Sequence, residues 1–250
     1  MQFDTSKYLK HLPLANFGSN VLFLEETPST NDEVWNHIHD NDHIIVVTEK
    51  QTHGRGRRNN PWFSLEQKSL TFSVGVKLEK SNNKLIPFIV ALSICKAINK
   101  LSSINVGIKW PNDIIINKNK IAGILIESKL DKLNKIFNIG IGVNVNLNEG
   151  DMNNGTIQNI SSILVESNKS LSRENLLSEI IISFNKYLLK DRNEIIKLWL
   201  KNCVHVNMKV QFHNKNKIIE GVFKSVDSNG NALVNVDNNI ESFSSGVLEL

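Results

Sequence analysis

The stretch of residues 51–62, here called the arginine loop, combines fixed positive charge with a backbone that turns easily. It contains three arginines within four positions, two glycines and a tryptophan, namely Arg55, Arg57, Arg58, Gly54, Gly56 and Trp62. Glycines allow backbone N–H groups to converge on an anion, and each guanidinium carries a planar donor fork that fits carboxylate or phosphate oxygens. Taken alone, the loop is compatible with an anion site, a solvated basic loop or a nucleic-acid patch with an interleaved aromatic residue.

Four further motifs favour the anion site because of their order along the chain. They are Ser29-Thr30-Asn31, Lys109-Trp110-Pro111-Asn112-Asp113, the run of residues 120–127, and Gly140-Ile141-Gly142-Val143-Asn144. From about residue 21 to the C-terminus, this order and spacing closely resemble those of biotin protein ligases (biotin–acetyl-CoA-carboxylase ligases). The resemblance implies an enzyme that makes biotinyl-5′-adenylate from biotin and ATP and then acylates one lysine of a biotin carboxyl carrier protein.

Composition narrows the class of protein and its surroundings. The chain of 250 residues suits one substantial domain and a small appendage. Its 29 basic and 25 acidic residues leave a net charge of +4, less than a dedicated nucleic-acid binder usually carries. Cys95 and Cys203 have no metal or redox spacing, and Cys95 lies in an apolar run typical of a buried, reduced thiol. Without a signal-peptide pattern or a membrane-spanning apolar run, we expect a cytoplasmic protein with neither nucleic acid nor membrane as partner.

The hydrophobic periodicity predicts several strands in hairpin succession, with helices between or after them. This pattern indicates an α+β fold with a mixed, mostly antiparallel sheet flanked by helices. From about residue 204 the period changes to two, and four or five short strands within some 45 residues indicate a small β-barrel. We expect domains at residues 1–203 and 204–250, similar to the class II synthetase-like catalytic domain and the SH3-like C-terminal domain of the ligase family.

Four local expectations depend on weaker patterns. Residues 1–20 carry little pattern, so we expect them to pack loosely along the main domain. Thr30 and Glu33 have capping-box spacing for a helix that runs to about His39, and capping by Thr30 is compatible with ligand contact. Residues 70–77 alternate apolar and polar, which predicts a strand with one buried face. The oligomeric state is left open, with residues 137–145 as a candidate sheet edge for a homodimer.

Activation of a carboxylate by ATP brings two anions together, so the expected machinery is fixed cations and backbone donors. No nucleophilic serine or cysteine is needed, in keeping with the absence of a persuasive triad. By resemblance, Arg57 and Lys120 are the catalytic residues, with Arg57 as the main clamp on the reacting anions. Without the Ala122-Gly123-Ile124 that follows it, Lys120 would be more typical of an exposed lysine at a strand end.

The resemblance also assigns residues to biotin, to the nucleotide and to a metal. For biotin it implies contacts from Ser29, Thr30, Asn31, Gln51, Gly54, Arg55, Gly56, Arg57, Lys120 and Gly123. For the nucleotide it implies Arg57, Arg58, Trp62, Asn112 and Asn144. Trp62 is suited either to stacking on adenine or to anchoring the loop in the core, and Asp113 is either a Mg²⁺ ligand or an ordinary turn aspartate.

The chain departs from the family pattern in two places. The loop of the family commonly continues Gly-Arg where this chain has Asn59-Asn60-Pro61, and His53 replaces a residue that is usually small. Only 28 residues precede Ser29, too few for the N-terminal winged helix of bifunctional members, so we expect a short form without repressor activity.

Three other functions compete with the ligase interpretation. A lipoate or octanoate transferase shares the catalytic fold, and it differs in the acid that supports ATP–pyrophosphate exchange. A nucleic-acid-binding module would bind DNA or RNA with a steep salt dependence and without adenylation. A biotin sensor would bind biotin and form no adenylate.

Overall fold

The computed structural model describes residues 1–13, 17–79, 85–131, 134–152, 159–214 and 217–249. The larger of its two sheets contains seven strands: β1 (Val21–Thr27), β2 (His43–Gln51), β3 (Ser69–Glu79), β4 (Gly107–Lys109), β5 (Asp113–Ile116), β6 (Asn119–Asp131) and β7 (Asn134–Asn144). Their order in the sheet is β1-β2-β3-β7-β6-β5-β4. The pairing of β1 with β2 is parallel and all other pairings are antiparallel. The predicted mixed, mostly antiparallel sheet is therefore confirmed.

Helices cover both faces of this sheet, because successive residues of a strand point to opposite faces. On one face, α3 and α6 pack over Ile45 and Phe72, while α2 covers Ile44 and Val46 on the other. No helix in the described parts of the chain is both long and apolar enough to cross a membrane. The helices are α1 (Thr5–His11), α2 (Thr30–His37), α3 (Ile86–Ser102), α4 (Glu149–Met152), α5 (Ile163–Ser167), α6 (Arg173–Leu188) and α7 (Arg192–Asn202).

Strand β3 is buried on both faces, so the prediction of one buried face is wrong. Thr71 and Ser73, the polar half of the alternation, are 3% and 0% exposed. A Cβ atom added at Gly75 would lie 2.7 Å from Val34 of α2, so that helix packs directly on the strand. Polar residues on this face thus serve a covered cleft instead of solvent.

The N-terminal segment packs against the sheet, and the expectation of loose packing is wrong for residues 1–13 and 17–20; residues 14–16 lie outside the described residues. Asp4 caps α1 by accepting hydrogen bonds from the next residues. Tyr8 is fully buried and donates its hydroxyl proton to the carbonyl of Gly18 at 2.9 Å. Phe3 is also buried and stacks on Phe23 of β1. A helix of two turns with one buried aromatic residue is too short to show helical periodicity in the sequence.

A second sheet follows the last helix and fits the expected SH3-like unit. It is attached to the first sheet through Trp110, whose Nε1–H donates to the carbonyl of Gly230 at 3.2 Å and whose ring lies 5.4 Å from that of Phe212. The boundary at residue 203 stays a prediction. The strands are β8 (Lys209–Asn214), β9 (Lys217–Val226), β10 (Ala232–Val236), β11 (Asn239–Phe243) and β12 (Val247–Glu249), in the antiparallel order β11-β10-β9-β8-β12.

The candidate edge at residues 137–145 is wrong as a position in the sheet. Strand β7 lies in the interior and pairs with β3 on one side and β6 on the other. The outer strands of the large sheet are β1 and β4. Any pairing of two copies through an edge of this large sheet would have to use one of those strands.

Candidate active site

The floor of the main cleft is a patch of sheet that consists largely of glycines. Strand pairing places Gly123 of β6 opposite Gly142 of β7, with Gly140 two residues earlier on β7 and Thr71 on the neighbouring β3. A Cβ atom added at Gly142 would lie 2.1 Å from the ring of Trp62, which therefore rests directly on the backbone. The cleft has a cavity volume of about 50 Å³.

This contact predicts that Gly142→Ala destabilises the protein. The added methyl group would push Trp62 off the floor, and overpacking of this kind costs about 1–3 kcal/mol. The free energy of unfolding, measured in urea, should fall by about 2 kcal/mol. Gly56→Ala is the matched control, because its added Cβ would meet nothing closer than 3.5 Å. Equal stability of the two variants would contradict the packing of Trp62 on Gly142.

The start of α2 forms one wall of the cleft. The backbone N–H of Thr30 donates to Oε1 of Gln51 at 2.9 Å, and its hydroxyl lies 2.7 Å from that of Ser73. Ser73 donates in turn to Oδ1 of Asn31 at 2.6 Å. Asn31 is 3% exposed, yet its Nδ2 has no hydrogen-bond partner among the described residues, and neither has Oγ1 of Thr71. Buried polar groups left unpaired are costly, so both atoms are suited to a polar ligand.

Thr30 is not the cap of α2, and the capping-box prediction is wrong. The N-cap is Ser29, whose side chain makes no capping hydrogen bond. Glu33 instead accepts a hydrogen bond from the hydroxyl of Thr27 at 2.8 Å. Thr30 is thus free of a capping role and is held by the residues that line the cleft.

The arginine loop folds back on itself over the cleft. Trp62 N–H donates to the carbonyl of Gly54 at 2.9 Å, and Gly56 N–H donates to that of Asn60 at 2.7 Å. A Cβ atom at Gly54 would lie 2.5 Å from the carbonyl oxygen of Trp62, which explains the need for glycine. Arg55 and Pro61 form an isolated antiparallel bridge. The unusual Asn59-Asn60-Pro61 continuation therefore closes the turn of this loop.

Arg55 fastens the loop to the wall. Its guanidinium donates to both carboxylate oxygens of Asp32, at 2.9 and 2.5 Å, and lies 3.9 Å from Glu127. The hydrogen bonds from Arg55 hold the pKa of Asp32 below its ordinary value, although partial burial acts in the opposite direction. The charge of Arg55 is thus largely neutralised by protein carboxylates.

Arg57 keeps its charge without such a partner. Its Nη1–H donates to the neutral amide oxygen of Asn112 at 2.9 Å, and no carboxylate forms an ion pair with it in the described parts of the chain. Burial lowers the pKa of this half-buried guanidinium and the charge of Arg58 lowers it further, while the charge of Asp113 acts in the opposite direction. A desolvated cation without a counterion is costly, so Arg57 is suited to an anionic ligand.

Lys120 supplies a second cation to the same cleft. Its Nζ forms an ion pair with Asp113 at 2.7 Å and lies 5.6 Å from the centre of the Trp62 ring. Its backbone is fixed by hydrogen bonds with Asn159 and Ser161. Because a lysine head turns freely about its stem, Nζ can approach a ligand from this position.

The structure brings most of the predicted site residues to one cleft. Lining it are Ser29, Thr30, Asn31, Gln51, Arg55, Gly56, Arg57, Trp62, Asn112, Lys120 and Gly123. Four predicted residues lie outside the lining. Gly54 and Asp113 are adjacent to it, Arg58 is exposed on the loop, and Asn144 is buried with its Nδ2 bound to the carbonyl of Ser161 at 3.0 Å.

Several residues of the site were missed at the sequence level. Thr71 and Ser73 occupy the polar positions of the β3 alternation, whose burial the sequence does not reveal. Asp32 follows the Ser-Thr-Asn motif directly, so its position was a usable signal for the pair with Arg55. Gly140 and Gly142 lie within the motif of residues 140–144, and their spacing of two places both on one face of a strand.

Comparison with known proteins agrees with this geometry. The profile of the biotin/lipoate A/B protein ligase family matches residues 23–146, which include the whole cleft floor and the arginine loop. The matched stretch is similar to this family over just under half of the chain. Among curated family members, the bifunctional ligase/repressor BirA of Bacillus subtilis is 27% identical over 216 residues, covering 82% of this chain. BirA of Escherichia coli is 28% identical over 245 residues, covering 93% of this chain and 74% of its own length. The chain spans 66% of the length of the Bacillus relative.

Solved structures of the family share the fold over most of the chain. The biotin protein ligase of Aquifex aeolicus, in complex with biotin and ATP, superposes with a TM-score of 0.76 at 24% identity, covering 92% of this chain and 97% of its own. That of Leishmania major, in complex with biotinyl-5-AMP, gives 0.60 at 26% identity, covering 90% and 99%.

Proposed function

We propose that this protein activates biotin with ATP to biotinyl-5′-adenylate and transfers the biotinyl group to a lysine of a biotin carboxyl carrier protein. The observation that carries the proposal is the pairing of two cations, Arg57 and Lys120, with a polar slot in one cleft. The match to the profile of the ligase family and the names of the relatives support it. The carrier lysine would attack the acyl carbon of the adenylate, which gives the biotinylated carrier and releases AMP.

The slot beside α2 is suited to the ureido ring. Asn31 Nδ2 and Thr71 Oγ1 are buried groups without partners among the described residues, and a cyclic urea offers both a carbonyl acceptor and N–H donors. Gly140 and Gly142 let the side chains of Asn31 and Trp62 lie directly on the sheet, so the ligand ring would lie against those two side chains. Biotin bound in this way would extend its carboxylate along the cleft toward Arg57.

The two cations would then act on the reacting groups. The biotin carboxylate and the α-phosphate repel each other, and negative charge grows on the phosphoryl oxygens as the bond forms. Arg57 offers two planar donors and Lys120 a mobile point charge, so together they can neutralise both partners. Trp62 is proposed to cover the adenine by stacking, and Asn112 holds Arg57 in place.

Magnesium would neutralise the departing pyrophosphate when bound. The described residues contain no group of three or more metal-ligating side chains, which fits an ion held mainly by phosphate oxygens and water. Asp113 already pairs with Lys120. Asp113 would bind the metal ion through a water molecule, or directly once Lys120 has turned from Asp113 to the anionic ligand.

The pair of Arg55 with Asp32 predicts a modest effect on retention of the intermediate. Asp32→Asn would remove the charge that holds the arginine loop to α2, and exposed ion pairs are worth at most about 1 kcal/mol. We expect biotinyl-adenylate to leave about three to five times faster, measured by single-turnover release. Asn keeps the size of the side chain and removes its charge. Asp32→Glu keeps the charge and serves as the control. Release that is unchanged in Asp32→Asn would contradict a fastening role.

Lipoate is the competing substrate, because the family includes lipoate enzymes. A direct test incubates the purified protein with labelled biotin and a biotin carboxyl carrier domain, with and without Mg-ATP. Label on the carrier that depends on ATP and disappears when the target lysine is changed to arginine is the expected result. Label transfer from lipoate but not from biotin would overturn the proposal in favour of the other branch.

A further inference from the structure

A buried ion pair lies at the base of the arginine loop, outside the cleft. Arg173, the first residue of α6, donates to both carboxylate oxygens of Glu49 in β2, at 2.7 and 2.8 Å. The side chains are only 5% and 7% exposed. Nothing in the chemistry described so far uses this pair.

Two of the four remaining hydrogen bonds of the pair reach the chain that returns from the arginine loop, and the other two bind the N-terminal segment, at the N–H of Phe3 (2.6 Å) and the carbonyl of Met1 (2.9 Å). Glu49 is two residues before Gln51, where the loop leaves β2, and its Oε2 accepts the backbone N–H of Gln67 at 2.8 Å. Arg173 donates to the carbonyl of Ser69, where β3 begins, at 3.1 Å. The same pair thus holds the departing and the returning strand. The position of the pair thus sets the spacing between the two strand ends from which the arginine loop extends.

Stability alone is a weak reason for such a pair. Burial of two charges costs as much as their attraction returns, and apolar replacements are often neutral or stabilising. A cation at the first residue of a helix also opposes the helix dipole. Burial acts to raise the pKa of Glu49, but the hydrogen bonds from Arg173, Gln67 and Phe3 outweigh it and leave the pKa low. The carboxylate is therefore charged and fully engaged.

We propose that Glu49 and Arg173 are positioning residues that hold the ends of the arginine loop in register, and so keep the adenylate closed from water. The proposal rests on the proposed function for its kinetic consequence but not for its structural one. Displacement of Glu49 would be felt at Gln51, whose Oε1 accepts from Thr30 in the cleft. Small misplacements of this kind reduce catalysis without any change in the residues that contact the ligand.

The test combines Glu49→Gln with Arg173→Met, which removes both charges and keeps the volumes similar. We expect the melting temperature to change by no more than about 4 °C. Amide hydrogen exchange in residues 52–66 should accelerate about tenfold, and release of biotinyl-adenylate should accelerate by a similar factor. Ile180→Val, a buried change on the same helix, is the control for general destabilisation and should leave both rates unchanged.

Wild-type exchange in residues 52–66 together with wild-type release would overturn the proposal. So would equal acceleration in the Ile180→Val control, since it would assign the effect to stability. If the wild-type protein forms no adenylate, the proposed function fails, while the exchange rates still decide the positioning role. If the double variant does not fold, Arg173→Lys replaces it. It keeps the charge and loses the double donor, so faster loop exchange supports the proposal and unchanged exchange contradicts it.

Discussion

Replacement of Lys120 by methionine is expected to slow biotin-dependent ATP–pyrophosphate exchange by about 10²–10³-fold. This is the typical cost of removing one group that stabilises charge developing in a transition state. Lys120 lies in the cleft beside Trp62, with Asp113 as its ion-pair partner among the described residues. Methionine fills a similar volume, so the loss should appear in kcat with little change in protein stability.

Lys129 offers the matched control on the same strand. Its Nζ lies 4.1 Å from the centre of the Trp35 ring, outside the cleft. Lys129→Met removes one positive charge from β6, as Lys120→Met does, and should leave exchange near the wild-type rate. An equal fall in both variants would show that net charge, and not the position of Lys120, governs the reaction.

Arg57→Gly is expected to release biotinyl-adenylate about 100-fold faster than the wild-type protein. Hydrogen bonds to charged groups contribute about 1.5–3 kcal/mol, and Arg57 is a half-buried cation bound only to the neutral amide of Asn112 in the described structure. The escaped adenylate would acylate lysines of bystander proteins. Labelling of an added protein that is not a carrier measures this escape.

Arg58→Gly is the control for the flexibility that glycine introduces. Arg58 is exposed and has a φ of 57°, a conformation that glycine adopts at no steric cost. Arg58→Gly removes one positive charge, as Arg57→Gly does, from the next position of the loop. Retention of the adenylate by Arg57→Gly at the wild-type level would contradict the clamp role. Equal escape from both variants would assign retention to the general charge of the loop.

Much of this fold follows from local pattern. Ile44 to Val47 form a short β-branched run, and they form the buried part of β2 as such runs do. Ser172 caps α6, accepting the N–H of Asn175, as its position before the amphipathic stretch predicts. The change of period near residue 204 marks the second sheet. In each of these places the local preference and the tertiary packing favour the same structure.

The failures arise where a tertiary contact overrides the local signal. Thr30 has the spacing of a capping residue, but Gln51 and Ser73 from two strands take its hydrogen bonds. Asn144 is buried and donates to the carbonyl of Ser161, and its predicted contact with the nucleotide stays a prediction. The assignment of individual residues to biotin and nucleotide stays a prediction.

The division of labour between the arginines was also beyond local pattern. Arg55 and Arg57 are equivalent in the sequence, two residues apart in one loop. Only the fold brings Asp32 to the first and leaves the second with an amide. The choice of Arg57 as clamp came from resemblance, and the contrast in counterions gives it a physical reason.

The most direct test of the account is ATP–pyrophosphate exchange by the purified protein with biotin, with lipoate and with neither acid. Exchange with biotin that is lost in Lys120→Met and kept in Lys129→Met is the predicted result. Absence of exchange with biotin, under conditions in which the protein is folded and binds ATP, would contradict the claim that Arg57 and Lys120 hold a carboxylate against the α-phosphate.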